Sequence, residues 1–224
     1  KSEYNDIVFF GLQYFIKKYL EGTQVTKDKI NYAEERIEKH VGKDVFNREG
    51  WEYILKTYNG VLPLEIKAVP EGSIVGKNNV LMTVENTDDK VPWLTNYVET
   101  LLCQIWYPCT VATQSLFLRR VMKKFLRKTG CSLDNLAFKL HDFGFRGVTC
   151  PEQAGIGDCA HLLSFRGTDT FAGTELAYEY YDEDMAGFSI AAGEHSTITS
   201  WGRENEEEAI RNALHAFPTG LVAC

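Results

Sequence analysis

The order of apolar and polar positions divides the chain into a helical beginning, a β segment, two long helices and a second half of different texture. Val8, Leu12, Phe15, Ile16 and Leu20 recur at helical spacing before Gly22, which predicts a packing helix from Val8 to Leu20. Thr26 can cap a second, highly charged helix running through His40. Asn47 can cap a third, which carries Trp51, Ile54 and Leu55 to an Asn59-Gly60 turn. From Leu64 the period changes to two. Leu64 to Val69, a Pro70-Glu-Gly72 turn, and Val80 to Glu85 read as successive strands of an antiparallel sheet.

Beyond Asp88-Asp89, an apolar stripe from Trp93 through Val98 and Leu102 to Trp106 predicts a long core helix ended by Pro108. The next helix, Ala112 to Lys128, carries Arg119, Arg120, Lys123, Lys124, Arg127 and Lys128 on its outer surface, and we read these as a solvated face rather than a phosphate contact. After Gly130, short apolar strands (Ala137 to Leu140, Leu162 to Phe165, Phe188 to Ala191) alternate with Gly-rich turns and helical patterns. That alternation predicts β/α units of a parallel sheet or barrel, whose active site lies at the C-terminal ends of its strands.

Composition narrows the class. With 224 residues, 44% hydrophobic and 25% charged, the chain is an ordinary globular protein rather than a disordered, collagenous or coiled-coil one. The 24 Lys and Arg against 31 Asp and Glu leave a net charge of -7, which argues against nucleic acid or an anionic membrane as a general partner. No apolar run approaches the ~20 residues of a membrane helix, and no signal-peptide core is present. The six cysteines (Cys103, Cys109, Cys131, Cys150, Cys159, Cys224) form no CxxC pair, so a zinc ribbon or a disulfide framework is not expected. They read as reduced thiols of a cytoplasmic protein. Lys1 stands where an initiator Met would, and Leu221 to Cys224 reads like a strand cut short, so an incomplete chain is expected.

Three clusters carry candidate chemistry: His141-Asp142-Phe143-Gly144-Phe145-Arg146-Gly147, Gly167-Thr168-Asp169-Thr170, and Gly193-Glu194-His195-Ser196-Thr197. Each follows a strand-like segment, so a barrel would bring an Arg, an Asp and a His to one face. A phosphorylated, anionic substrate held by Arg146 fits such a face, with Asp169 accepting from a polar group and His195 titrating beside it. Each residue also has a structural alternative: Arg146 pairing with Asp142, Asp169 capping a helix at Thr170, or His195 as a core histidine. His141 beside Asp142 could form a dyad or ligate a metal, but no second ligand lies at metal spacing. There is no phosphate loop of the GxGxxG or GxxxxGK[ST] kind, and Gly155 and Gly157 read as a tight helix–sheet turn.

Six segments are more specific: Phe10-Gly-Leu-Gln-Tyr14, Glu65-Ile-Lys-Ala-Val-Pro-Glu-Gly72, Thr83-Val-Glu-Asn-Thr-Asp88, Lys139-Leu-His-Asp-Phe-Gly-Phe-Arg-Gly147, Phe165-Arg-Gly-Thr-Asp-Thr170 and Glu194-His-Ser-Thr-Ile-Thr199. They closely resemble the nicotinamide phosphoribosyltransferases, a type II phosphoribosyltransferase family, in unbroken order along the chain. The family's chain is about twice as long, so the resemblance is to its first half. It implies an α/β N-terminal domain with antiparallel strands over residues 1–135, followed by the start of an irregular α/β barrel over residues 136–224. The activity implied is transfer of the 5-phosphoribosyl group from phosphoribosyl pyrophosphate to nicotinamide, giving nicotinamide mononucleotide and pyrophosphate.

By motif, Phe143 resembles the aromatic that stacks on the nicotinamide ring, and Asp169 the carboxylate that binds its carboxamide. Arg146 resembles the diphosphate-binding arginine. His195 resembles the histidine that contacts the diphosphate and is phosphorylated by ATP, a step coupled to the transfer but not required for it. His141, Ser189, Ile190 and Ala192 fall along the implied substrate site, with differences from the family's tunnel at Ala191 and Gly193. The resemblance also implies a homodimer, Mg²⁺ accompanying the pyrophosphate and ATP as an activating co-substrate. No protein metal site is implied. The family's upstream segment, which covers the base across the dimer interface, and its later barrel half have no counterpart in these residues. Two rival expectations remain: a nicotinate phosphoribosyltransferase, or a truncated, non-catalytic signalling protein.

Overall fold

A computed structural model describes residues 4–220 and 222–223. Local chemistry sets the first helices. The Thr26 hydroxyl accepts the Lys29 N–H and opens α2 (Lys27–His40), and the Asn47 side chain accepts the Gly50 N–H and opens α3 (Arg48–Tyr58). Asn59 then takes a left-handed conformation (φ 53°) that stops α3. All three features follow the sequence expectation.

The segment before them does not. Residues Asp6–Val8 form strand β1, and helix starts only at α1 (Leu12–Phe15), continuing as one π turn over Ile16–Leu20. Gly11 forces the change, because its φ of 102° breaks any helix entering from Val8. Strand β2 (Leu64–Ala68) pairs antiparallel with β4 (Met82–Asn86), whereas β3 (Ile74–Gly76), unforeseen, pairs antiparallel with β1.

Pro108 begins a helix instead of ending one. Helix α4 (Leu94–Cys103) stops before Gln104, and α5 (Trp106–Lys128) carries Pro108 in its first turn, where a missing N–H costs nothing. Cγ of Pro108 lies against Gly11, so the bend wedges α5 onto the α1 entry. The main core gathers Phe9, Phe15, Leu102, Ala112, Ile156 and Leu176 around this junction. A smaller one packs Val25, Ile30, Ile54, Val91 and Leu94. On the basic surface of α5, Arg119 donates to the Ser164 carbonyl and lies over the Phe165 ring, and Arg120 lies over Phe117 near Asp6. That face is therefore partly a packing surface.

The second half contains parallel β/α units, with its strands shifted from the expected positions. Strand β5 is His141–Asp142, preceded by a 3₁₀ turn at Leu136–Phe138. Leu162 to Phe165 is the turn after α6 (Pro151–His161), and β6 is Gly167–Thr168. Helix α7 (Phe171–Tyr181) follows. Strand β5 pairs parallel with β6, and Gly167 bridges in parallel to Phe188. Only the end of the third expected strand forms β7 (Ala191–Ala192), which pairs parallel with β8 (Val222–Ala223); α8 (His195–Ser200) and α9 (Glu206–Ala216) lie between them. Of the expected C-terminal strand, Leu221 and Cys224 lie outside the described residues.

Gly155 and Gly157 lie inside α6, not in a turn. Without side chains there, α6 approaches the Ala172 carbonyl of α7 and the Tyr107 hydroxyl of α5. Among the described residues, no helix is long and apolar enough to cross a membrane.

Candidate active site

Strands β5 and β6 and the segment after Phe188, which bridges to Gly167, bring three of the expected residues together. Asp169 leaves β6 with its backbone N–H donating to the Asp142 carbonyl at 2.7 Å. The Ser189 hydroxyl donates to Asp169 Oδ1, and His141 Nδ1 lies 3.8 Å from Asp169 Oδ2. His141 is largely buried over Gly167, and neither ring nitrogen has a hydrogen-bond partner. Asp169 therefore does not cap α7, whose start has no side-chain cap.

The residues expected to meet ring and phosphate are exposed. Phe143 is 70% exposed on the turn after β5, where Asp142 Oδ1 accepts the Gly144 N–H at 3.0 Å. Arg146 pairs with Glu194, not with Asp142: its Nη2 lies 3.9 Å from Glu194 Oε2, and the other Glu194 oxygen contacts His195 Nδ1. One carboxylate thus brings Arg146 and His195 together, and His195 is exposed rather than a core histidine. Ile190 and Ala192 flank the same chain segment, Ile190 half-buried and Ala192 exposed.

Three supporting groups on α6 were not foreseen. Asp158 of α6, 1% exposed, accepts the Thr168 hydroxyl at 2.8 Å. Burial pushes its carboxyl up to about 8, helped by the carboxylates of Asp142 and Asp169 and opposed by the Thr168 hydrogen bond. His161 donates from Nε2 to the Leu140 carbonyl at 3.2 Å, so Nδ1 is free to accept from Ser115 Oγ at 3.1 Å. Burial lowers its pKa, and this neutral tautomer ties α6 to the start of β5. Glu152 gathers the Tyr14, Tyr19 and Lys18 side chains and fastens α1 and its π turn to α6. The signal for Asp158 and His161 was available: Ala154 to His161 is otherwise small or apolar, and all eight residues are buried.

Among the described residues, no three His, Cys, Asp or Glu side chains come together as a cation site. Cys103, Cys109, Cys131, Cys150 and Cys159 are free thiols; Cys224 lies outside the described residues. A cavity of about 700 Å³ between β1, α4 and α5 is lined by none of the candidate residues.

The two ends of the chain match two family descriptions. Residues 138–219 match the nicotinate phosphoribosyltransferase (NAPRTase) family, and residues 1–66 match the N-terminal domain of nicotinamide phosphoribosyltransferase. The parallel strands β5 and β6, with polar groups at their ends, lie within the match over residues 138–219. The chain is 46% identical over 98% of its length to a nicotinamide phosphoribosyltransferase of Xanthomonas campestris, covering 47% of that protein. It is 36% identical over 97% of its length to one of Acinetobacter baylyi, covering 45% of it. The similarity to nicotinamide phosphoribosyltransferases thus runs along nearly the whole chain, which spans about half the length of these curated relatives.

Proposed function

We propose that the protein joins nicotinamide to the 5-phosphoribosyl group of phosphoribosyl pyrophosphate, forming nicotinamide mononucleotide and releasing pyrophosphate. The observation that carries this is the Asp169 carboxylate at the end of β6, held by Ser189 and faced by His141. A carboxylate in that position accepts the carboxamide N–H of nicotinamide and repels the carboxylate of nicotinic acid. Phe143 is free to stack on the flat ring, which adds about 0.5–1.5 kcal/mol beyond burial. His141, Ser189, Ile190 and Ala192 surround the base.

Ribosyl transfer passes through an oxocarbenium-like state as pyrophosphate departs, so the main assistance is electrostatic stabilisation of the leaving anion. Arg146 and His195, which already share the Glu194 carboxylate, supply it. An incoming diphosphate offers the same two side chains a stronger anion, with Mg²⁺ arriving on the substrate. His195, which is exposed, is also the acceptor for phosphoryl transfer from ATP, with ADP as the leaving group, which places a switchable charge beside the diphosphate. The whole protein acts as a cytoplasmic homodimer.

A second reading, nicotinate as the base, is favoured by the family description matched over residues 138–219. The two readings are separated at Asp169. In the full-length protein, Asp169→Ser is expected to lower kcat/KM for nicotinamide by about ten- to hundredfold, the scale of about 1–3 kcal/mol for an unpaired buried polar group. It should also relieve repulsion of nicotinic acid. An unchanged ratio of the two kcat/KM values would remove Asp169 as the discriminator.

A further inference from the structure

Asp169 stands between two threonines, and the alternation that turns its side chain outward turns theirs inward. Thr168 is 4% exposed and Thr170 2%, so both hydroxyls need partners inside the protein. Each finds an aspartate. Thr170 Oγ1 donates to Asp142 Oδ1 at 2.6 Å, and Thr168 Oγ1 donates to Asp158 Oδ1 at 2.8 Å. Thr168 Oγ1 also accepts the Thr170 backbone N–H at 2.9 Å. A single hydroxyl therefore ties Asp158 to the peptide unit that follows Asp169.

Asp158 is a firm anchor because the backbone closes over it: a Cβ at Gly173 of α7 would run into its carboxylate. The other carboxyl oxygen is buried without a partner. Burying a carboxyl group is a costly way to satisfy one hydroxyl, and the Asp142 carbonyl is only 3.4 Å from the same Thr168 oxygen. What the side chain of Asp158 adds is a fixed direction for that hydroxyl and for the loop it holds. The Asp142 carbonyl is a poor substitute, because it already accepts the Asp169 N–H at 2.7 Å.

We propose that Asp158 is a positioning residue, which through Thr168 fixes the Thr168–Thr170 backbone and so sets where the Asp169 carboxylate meets the base. This rests on the reading of Asp169 given above. It predicts that the acceptor oxygen at position 158 matters and its charge does not.

The test uses the full-length protein, with nicotinamide KM, kcat and folded fraction measured for each variant. Asp158→Ala should raise the nicotinamide KM about tenfold, the effect of about one lost hydrogen bond, with kcat per folded molecule within about twofold. Asp158→Asn, which keeps the acceptor, should hold the KM within about twofold. Should Asp158→Ala fail to fold, Thr168→Val removes the same link isosterically and is expected to reproduce the KM rise, whereas Thr168→Ser restores it. A purely structural role would lower the folded fraction and leave the KM of the folded protein unchanged, and that result overturns the proposal. Asp169→Ser in parallel separates the two ideas. If it raises the KM while neither Asp158→Ala nor Thr168→Val does, only the role of Asp158 is lost; if it leaves the KM unchanged, the base-site reading falls first.

Discussion

Asp158→Asn is expected to abolish a pH dependence of stability that the unsubstituted protein shows between about pH 4 and pH 8. In the unfolded chain this carboxyl ionises near its ordinary value of 3.8, whereas in the folded protein burial holds the proton until about 8. Between those values the unfolded state has released a proton that the folded state retains. Raising the pH therefore favours unfolding throughout that window. Above about 8 both states are ionised, and the penalty stays constant.

The groups facing Asp158 reinforce the effect. The carboxylates of Asp142 on β5 and Asp169 after β6 repel its charge, Thr168 alone favours it, and α7 presents the backbone of Gly173. His161, on the same helix, is present in both proteins and cancels in the comparison, and burial holds the Cys159 thiol protonated throughout this window. The stability difference between the Asn variant and the unsubstituted protein should grow in favour of Asn by on the order of 5 kcal/mol from pH 4 to pH 8. Urea unfolding midpoints at pH 4, 6 and 8 measure it directly. A difference that stays constant with pH would mean that the carboxyl ionises normally in the fold.

Elements governed by short-range chemistry were legible in the sequence. The caps at Thr26 and Asn47, the left-handed Asn59 and the two-residue period of β2 and β4 each depend on neighbours a few residues away. The strands of the second half were harder. Strands β5, β6 and β7 are each two residues long, too short to impose a period of two, and the apolar residues expected to form them pack instead as turns and helix ends. Pro108 was misread because one residue type both ends helices and occupies their first turn; what decides is the bend at Gln104, which sequence spacing does not record.

At the site, the exposed members announced themselves as polar residues in Gly-rich turns. The supporting members did not: Asp158, His161 and Glu152 act through partners on other elements. The link between Arg146 and His195 through Glu194 likewise spans 48 and 1 residues of sequence, and only the fold brings the longer interval together.

Glu71→Ala is expected to cost about 3–5 kcal/mol, because that carboxylate replaces the cap that helix α1 lacks. The residue before α1 is Gly11, which has no side chain to accept the free N–H groups of the first turn. Glu71, in the turn between β2 and β3, accepts them from sixty residues away: Gly11 N–H to Oε2 at 3.0 Å and Gln13 N–H to Oε1 at 2.6 Å. Its Oε2 also accepts the Tyr181 hydroxyl at 2.9 Å, joining the end of α7 to the same point. Burial, with Glu71 beside it, holds that phenol well above its ordinary pKa, so Tyr181 remains a donor. The turn is itself pinned, since the Gly72 N–H donates to the Phe9 carbonyl at 2.8 Å and the Phe9 N–H to the Ser73 carbonyl at 3.0 Å. Alanine would strand three donors at the junction of β1, α1 and α7. Glutamine keeps an acceptor and is expected to lose only about 1–2 kcal/mol, so the gap between the two variants isolates the cap from the side chain's bulk. Urea unfolding of both at neutral pH decides the matter. An Ala variant within about 1 kcal/mol of the unsubstituted protein would mean that water satisfies these donors and that the junction is held by its aromatic core alone.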